Sequence, residues 1–344
     1  MRSIVTLILF FSLSNELFAQ KKVALAYGPV QKFKFSESFL NLDIFSADAG
    51  GYYALQVPYS SLYSNSIGGI RNYHLAKYNA LDMEKSSSFS MDAVEEDGKS
   101  YLLTASIKEE LYIFSSKENE QQQKTALYVQ AVDKKSFVPK QECKKIAEID
   151  FSKDNKYKKS KFGVEFSPDS SKILITYRLL NKDAEMIRNG FMVMDRKFNS
   201  LWKLENPTST EPGVSNYVSY NVDAKGDVYL LLKAFGNVDA YEQTGKLKKK
   251  TFISSTRRVK RTANYMYKVL AFAAGRQTNA YVLSQPGKFI TDTELAVSTK
   301  GDIVLTGLYA DAGRTSVKGT FSMKIAKNAK DITKRISPFW KRLS

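Results

Sequence analysis

One short pattern recurs along the chain and constrains the fold more than any other feature. In VEFSPDSSKILITY, at 164–177, an apolar run stops at a polar stretch and then resumes at once. Pro168 and Asp169 favour a tight turn, through the fixed φ of proline and local hydrogen bonds of the aspartate. Ile173 to Tyr177 have the β-branched and aromatic character of a strand buried on both faces. The pattern therefore predicts a hairpin turn that leads into an inner strand.

The same pattern occurs four more times, as a polar turn followed by four to six apolar residues. The copies are SADAGGYYALQV at 46–57, VEEDGKSYLLTA at 94–105, VDAKGDVYLLLKA at 222–234 and VSTKGDIVLTGLYA at 297–310. Their anchor residues are Gly51, Gly98, Ser171, Gly226 and Gly301, which lie 47, 73, 55 and 75 residues apart. The shorter intervals approach the roughly 40–50 residues of a propeller blade.

Further strand–turn–strand patterns lie between the anchors, and long amphipathic helical periodicity is nearly absent. These patterns are at 73–89, 125–139, 190–205 and 319–336. The sequence therefore predicts an all-β protein, a β-propeller of five four-stranded blades. The count becomes six if residues 22–45 and the C-terminal tail complete another blade. We expect the ring to be incompletely closed.

The segment FSPDSSKILITY resembles the signature of WD40-like (TolB-type) β-propeller repeats of bacterial envelope proteins. Ser171 stands where that family usually has glycine, so this turn either needs no positive φ or is strained. The segment TGLYADAGRTSVKGTFSMKI, at 306–325, is similar to the last recognisable blade of exported propeller proteins of Gram-negative bacteria. The resemblance covers about residues 46–325. It implies a blade architecture and supplies no catalytic residues.

The N-terminus predicts export. A short basic start, Met1-Arg2-Ser3, is followed by the apolar run IVTLILFFSL, which suits a secretory signal better than a membrane span. We expect cleavage after Ala19, which leaves residues 20–344 as the propeller domain, with no apolar run long enough to cross a bilayer. The expected location is the periplasm, the cell surface or the extracellular space of a Gram-negative bacterium. A single cysteine, Cys143, excludes an internal disulfide.

The chain is strongly basic, with a formal net charge of +17. This charge attracts acidic polymers and lipid headgroups, whereas nucleic acid is not an expected partner of an exported chain. The segment 245–261 carries eight basic residues and no acid, and it is either a solvated loop or a patch that binds an anionic partner. The predicted binding residues there are Lys246, Lys248, Lys249, Lys250, Arg257, Arg258, Lys260 and Arg261.

Tyrosines surround a loop rich in Ser, Asn and Gly at 57–78. Tyr59, Tyr63 and Tyr73 suit stacking against sugar rings or docking of a partner protein. The alternative is that these rings fill the interfaces between blades.

The sequence offers little catalytic chemistry. His74 is the only histidine, no glycine-rich phosphate loop is present, and no metal-ligand spacing occurs, so no catalytic residue, metal or cofactor is predicted. Asp48, Asp97, Asp169 and Asp223 lie in the repeated turns and are expected to form them.

We therefore expect an exported, non-catalytic interaction module that binds an envelope polysaccharide, another glycan or a protein partner. A polysaccharide-acting hydrolase or lyase is the alternative, and it would need two acids within about 5–10 Å in a concave pocket. A structural subunit of an envelope complex is a third possibility.

Overall fold

The structure is a computed structural model, and every structural statement refers to the residues that it describes. These are residues 39–58, 73–91, 98–140, 142–152, 157–181, 186–207, 215–235, 265–284, 287–311, 316–327 and 332–339. They contain twenty strands, and none of them forms a helix that could span a membrane.

The strands form five antiparallel sheets of four, and the strands of each sheet follow in chain order. Sheet 1 contains β1 (Phe39–Asp48), β2 (Gly51–Pro58), β3 (His74–Asn79) and β4 (Lys85–Ser90). Sheet 2 contains β5 (Ser100–Ile107), β6 (Glu110–Asn119), β7 (Lys124–Asp133) and β8 (Lys144–Asp150). Sheet 3 contains β9 (Tyr157–Phe166), β10 (Lys172–Asn181), β11 (Met186–Asp195) and β12 (Ser200–Glu205). Sheet 4 contains β13 (Ser215–Val222), β14 (Val228–Phe235), β15 (Tyr265–Ala273) and β16 (Arg276–Leu283), and sheet 5 contains β17 (Lys288–Val297), β18 (Ile303–Asp311), β19 (Val317–Ile325) and β20 (Ile332–Pro338).

This arrangement confirms the predicted fold class. The protein is an all-β propeller of about five four-stranded blades. Its residues divide into two compact units, Met1–Asp92 and Ala93–Ser344. The first unit holds sheet 1, where the rings of Tyr52 and Tyr78 stack at 4.5 Å above the buried residues Ala54 and Ala76.

The second unit holds sheets 2 to 5, which follow one another as blades. The first strands β5, β9, β13 and β17 contact one another in succession, whereas the fourth strands are the most exposed. Apolar clusters fill the spaces between neighbouring sheets. In β10, Ile173 and Ile175 pack toward sheet 2 and Leu174 packs toward sheet 4, so this strand is buried on both faces as predicted.

Four of the five repeated patterns form the predicted hairpin turn into an inner strand, and one does not. Four of them join the first and second strands of a sheet, but the turn at Gly98 comes before the first strand of sheet 2. The corresponding connection in sheet 2 is the turn at Lys108, where φ is 55°. The irregular anchor spacing arises in part from this wrong assignment. The second strand predicted within 125–139 is also wrong, because Pro139 forms only an isolated bridge and β8 begins five residues later.

The turn between β9 and β10 places its positive φ at Ser170 and not at Ser171. The amide of Ser170 donates to the carbonyl of Ser167, as the amides of Gly226 and Gly301 donate to carbonyls three residues earlier. Ser170 is therefore the structural counterpart of those glycines, and the turn is one residue longer than its relatives. The φ of 54° at a serine is a local strain.

A buried ion pair joins sheet 5 to sheet 4. Lys327 Nζ lies 2.6 Å from Asp223 Oδ2 and 2.9 Å from Asp227 Oδ2. The Asp223 side chain is only 2% exposed, and its Oδ1 accepts hydrogen bonds from the amides of Lys225 and Asp227. Tyr229 donates its hydroxyl hydrogen to Asp223 Oδ2. The carboxylate thus shapes its own turn and also binds the neighbouring sheet.

Candidate functional site: the polar face of sheet 5

Sheet 5 has one apolar face and one polar face. Its apolar face packs on sheet 4 through residues such as Leu295, Leu305 and Met323. Residues of the other face alternate with these along each strand, and most of them are exposed. Such alternation is typical of an antiparallel sheet that is covered on one side only. We call this exposed surface the polar face.

Two cross-strand rows form the centre of the polar face. Strand register places Glu294 opposite Thr306, Thr306 opposite Ser322, and Ser322 opposite Arg335. The adjacent row runs in the same way through Asp292, Leu308, Thr320 and Ser337. Neighbouring strands lie about 4.8 Å apart. The face therefore presents closely spaced hydroxyl and carboxylate groups across all four strands.

These rows line a shallow concavity of about 560 Å³. A register shift between Ile290 and Asp292 determines which side chains of β17 point outward after it. The Thr293 side chain points inward, where its hydroxyl donates to the carbonyl of Thr306 at 3.1 Å. Asp292 and Glu294, on either side of it, are exposed on the polar face. Because Thr293 points inward, the two carboxylates on either side of it lie on the same face of the strand.

The charge of the concavity differs from that of the whole chain. Its ionisable side chains are Asp292, Glu294 and Arg335, two acids and one base. Lys324 is occupied nearby, because its Nζ lies 2.8 Å from Asp302 Oδ2, and this hydrogen bond lowers the pKa of Asp302. The concavity thus has a formal charge of −1 in a chain of net charge +17, although Lys318 and Lys324 are exposed on the same side of β19. The two carboxylates repel anionic groups that enter the concavity.

Of the binding residues predicted from the sequence, the structure describes Tyr73 and leaves the other ten outside the described residues. The basic residues Lys246, Lys248, Lys249, Lys250, Arg257, Arg258, Lys260 and Arg261, and also Tyr59 and Tyr63, fall outside the described residues. Tyr73 is half-buried beside β3, where its carbonyl accepts a hydrogen bond from the amide of Met91. The patch and the tyrosine loop therefore stay predictions.

The structure also describes the histidine and three of the turn aspartates that the sequence analysis considered. The ring of His74 packs edge-on against Phe39 with centroids 4.9 Å apart. The carboxylates of Asp48, Asp169 and Asp223 accept backbone hydrogen bonds within their own turns, which confirms that they form turns. Asp97 lies outside the described residues. Within the described part of the chain, no group of three or more His, Cys, Asp or Glu side chains is arranged to hold a metal ion.

Sequence reasoning missed the residues of the polar face, although a signal for them existed. The segment VKGTFSMKI of β19 alternates between exposed and buried positions, and this period of two predicts a strand with one solvent-facing side. The pairing of Thr306 with Ser322 depends on register between separate strands, which no local pattern reveals.

Comparison with known proteins finds remote structural similarity, at TM-scores below 0.5. No family model matches the sequence, and no curated protein matches it. The β-propeller domain of the trilobed protease from Pyrococcus furiosus is 10% identical, with 90% of this chain and 85% of that chain covered and a TM-score of 0.40. The Pyrococcus horikoshii acylaminoacyl peptidase is 11% identical, with 89% and 40% covered and a TM-score of 0.45.

The polysaccharide lyase Uly1 is also similar, at 8% identity, with 92% of this chain and 76% of that chain covered and a TM-score of 0.44. These three proteins include peptidases and a polysaccharide lyase. Similarity at this level does not distinguish an enzyme from a binding module, so the function must be argued from the residues of this chain.

Proposed function

We propose that this chain is an exported, non-catalytic β-propeller that binds a neutral or amino-sugar glycan on the polar face of sheet 5. The observation that carries the proposal is the pair of hydroxyl and carboxylate rows across β17 to β20. The signal-like N-terminus and the resemblance of residues 164–177 to TolB-type repeats support an envelope location, which is part of the same proposal.

The chemistry of the rows suits a polyhydroxylated ligand. Threonine and serine hydroxyls both donate and accept hydrogen bonds, as sugar hydroxyls do. Carboxylates at Asp292 and Glu294 accept stronger, charge-assisted hydrogen bonds from such donors. A shallow surface with repeated groups across four strands fits an extended chain of sugars better than a compact small molecule. The acidic balance of the concavity favours a neutral or cationic ligand over an anionic one.

The position of the two acids also bears on the enzymatic alternative. Glycoside hydrolysis needs carboxyl groups that flank the scissile bond. Asp292 and Glu294 are exposed on the same face of a single strand, so both approach a ligand from the same side. This arrangement supports hydrogen bonding to sugar hydroxyls rather than hydrolysis, and we expect no release of products.

Affinity electrophoresis tests the proposal. Purified protein is run through native gels that contain neutral, amino-sugar or acidic polysaccharides, and its retardation is measured. We expect retardation by a neutral or amino-sugar polymer. The double variant Asp292→Asn and Glu294→Gln should bind about tenfold more weakly, because it loses two charge-assisted acceptors. Glu118→Gln is the matched control, since Glu118 is an exposed carboxylate on β6 of another sheet.

Three outcomes would contradict the proposal. Equal retardation of the double variant and the wild-type protein would show that the polar face is not the binding surface. Retardation by acidic polymers alone, abolished by salt, would favour the basic segment 245–261. Release of reducing ends from a polymer by the wild-type protein, lost in the double variant, would make the chain an enzyme.

A further inference from the structure

A second concavity lies in the interface between sheets 2 and 3, away from the polar face. It has a volume of about 210 Å³ and is bordered by β8 on one side and by β10, β11 and β12 on the other. We call it the β8–β12 cavity. It lies where the apolar contact between the two sheets divides into two clusters, one around Ile175 and one around Tyr177.

A small residue on β8 borders the cavity. Ala147 leaves space there that a larger side chain would fill. The ring of Tyr177 lies across Gly190, since a Cβ at that position would stand 2.5 Å from the tyrosine hydroxyl oxygen. The walls are apolar and include Ile149, Ile175 and Met192. The interior is therefore suited to an apolar group.

The rim of the cavity carries charged groups, and most of them are already occupied. Glu148 accepts hydrogen bonds from Lys124 and Lys145, each at 2.8 Å, and these bonds lower its pKa. Arg188 donates to the carbonyl oxygen of Asp150. The bonds that these groups make hold β8 to its neighbours.

Lys203 and Glu205 form the opposite side of the rim. Both are exposed residues of β12, and both line the cavity. They are two positions apart on one strand, so their side chains leave the sheet on the same face. Within the described part of the chain, neither takes part in an ion pair or a hydrogen bond of its side chain. The mouth thus presents one ammonium and one carboxylate above an apolar interior.

We infer that the β8–β12 cavity binds a free α-amino acid with an apolar side chain. The ligand carboxylate contacts Lys203, the ligand ammonium contacts Glu205, and the side chain enters the cavity beside Ile175 and Met192. The size is suitable, because an apolar cavity of about 150 Å³ accommodates benzene. A leucine or phenylalanine side chain therefore fits within 210 Å³. This inference is independent of glycan binding on the polar face.

Ligand-observed NMR with the full propeller tests the inference. L-leucine and L-phenylalanine are titrated and saturable binding is measured, with L-leucinamide and N-acetyl-L-leucine as probes that lack the carboxylate or the ammonium. We expect Lys203→Met to weaken leucine binding about tenfold and to leave leucinamide binding unchanged. We expect Glu205→Gln to weaken leucine binding and to leave N-acetyl-leucine binding unchanged. Lys225→Met, on an exposed turn of sheet 4, is the control.

Ala147→Leu fills the cavity and should abolish binding of every probe. If this variant fails to fold, the two exposed rim variants still decide the matter. Absence of saturable leucine binding up to about 10 mM would overturn the inference. Leucinamide that binds as tightly as leucine would also overturn it, because the site would then recognise a peptide N-terminus and not a free amino acid.

Discussion

At the scale of single residues, the most consequential group for stability is the Asp223 carboxylate. It is buried, and its charge is balanced by Lys327 from the neighbouring sheet. Removal of one partner from a buried ion pair leaves an uncompensated charge, which costs about 3–5 kcal/mol. Because part of the Lys327 side chain reaches solvent, the loss here should fall at the lower end of that range.

Lys327→Met should therefore lower the free energy of unfolding by about 3 kcal/mol. Lys324→Met is a control on the same sheet, since the Lys324 side chain is 55% exposed where it pairs with Asp302 and should contribute at most about 1 kcal/mol. Urea unfolding of both variants measures the difference. Equal losses in the two variants would show that the Asp223 pair does not act as a buried one.

The same pair predicts a dependence on pH. Burial lowers the pKa of Lys327, but hydrogen bonds to Asp223 and Asp227 outweigh burial and raise it above 10.5. A lysine whose pKa is raised by folding stabilises the native state fully below its unfolded pKa. This contribution is lost as pH rises through the folded pKa. The stability difference between wild type and Lys327→Met should thus be constant near neutrality and shrink above about pH 10.5, as followed by unfolding at several pH values. A difference that grew with alkali would contradict this assignment.

At the scale of elements, glycines opposite aromatic rings recur between neighbouring strands. Tyr177 faces Gly190 across β10 and β11, and Tyr309 faces Gly319 across β18 and β19. In both pairs the ring occupies the space that a side chain on the glycine would need. Such cross-strand pairs stabilise a sheet and help to fix its register.

Alanine substitution should have different effects at these two glycines. In Gly190→Ala the three atoms nearest to the new methyl all belong to the side chain of Tyr177, which can shift, and we expect a loss of about 1–3 kcal/mol. In Gly319→Ala it would stand 2.2 Å from the backbone oxygen of Ser337, so β20 must shift. Hydrogen exchange should therefore accelerate in residues 332–338 of Gly319→Ala alone. Unchanged exchange there would mean that β20 tolerates the methyl.

How far the sequence predicts this structure also depends on the element. The inner strands β10 and β14 were predictable, because Ile173 to Tyr177 and Val228 to Leu232 are apolar runs that follow a turn signal. The polar face was not predicted, because its rows exist only once the register of four strands is set. The β8–β12 cavity was not predicted either, since it forms only where side chains of β8 in sheet 2 meet those of sheet 3.

At the scale of the whole molecule, charge is unevenly distributed. The chain has a net charge of +17, and yet the concavity on the polar face of sheet 5 carries two carboxylates and one guanidinium. In sheets 3 and 4, strands bury residues against neighbours on both faces, whereas sheet 5 keeps one face polar. A polar sheet face of this kind is not required by the packing of the second unit, and we interpret it as the binding surface.

Carboxyl footprinting tests this claim most directly. The protein is treated with a carbodiimide and glycine ethyl ester, with and without saturating oligosaccharide from a polymer that retards it, and labelling of each acid is measured by mass spectrometry. Bound glycan should reduce the labelling of Asp292 and Glu294 and leave Glu118 unchanged. Equal labelling of Asp292 and Glu294 in the two conditions would place the glycan elsewhere and contradict the proposed function.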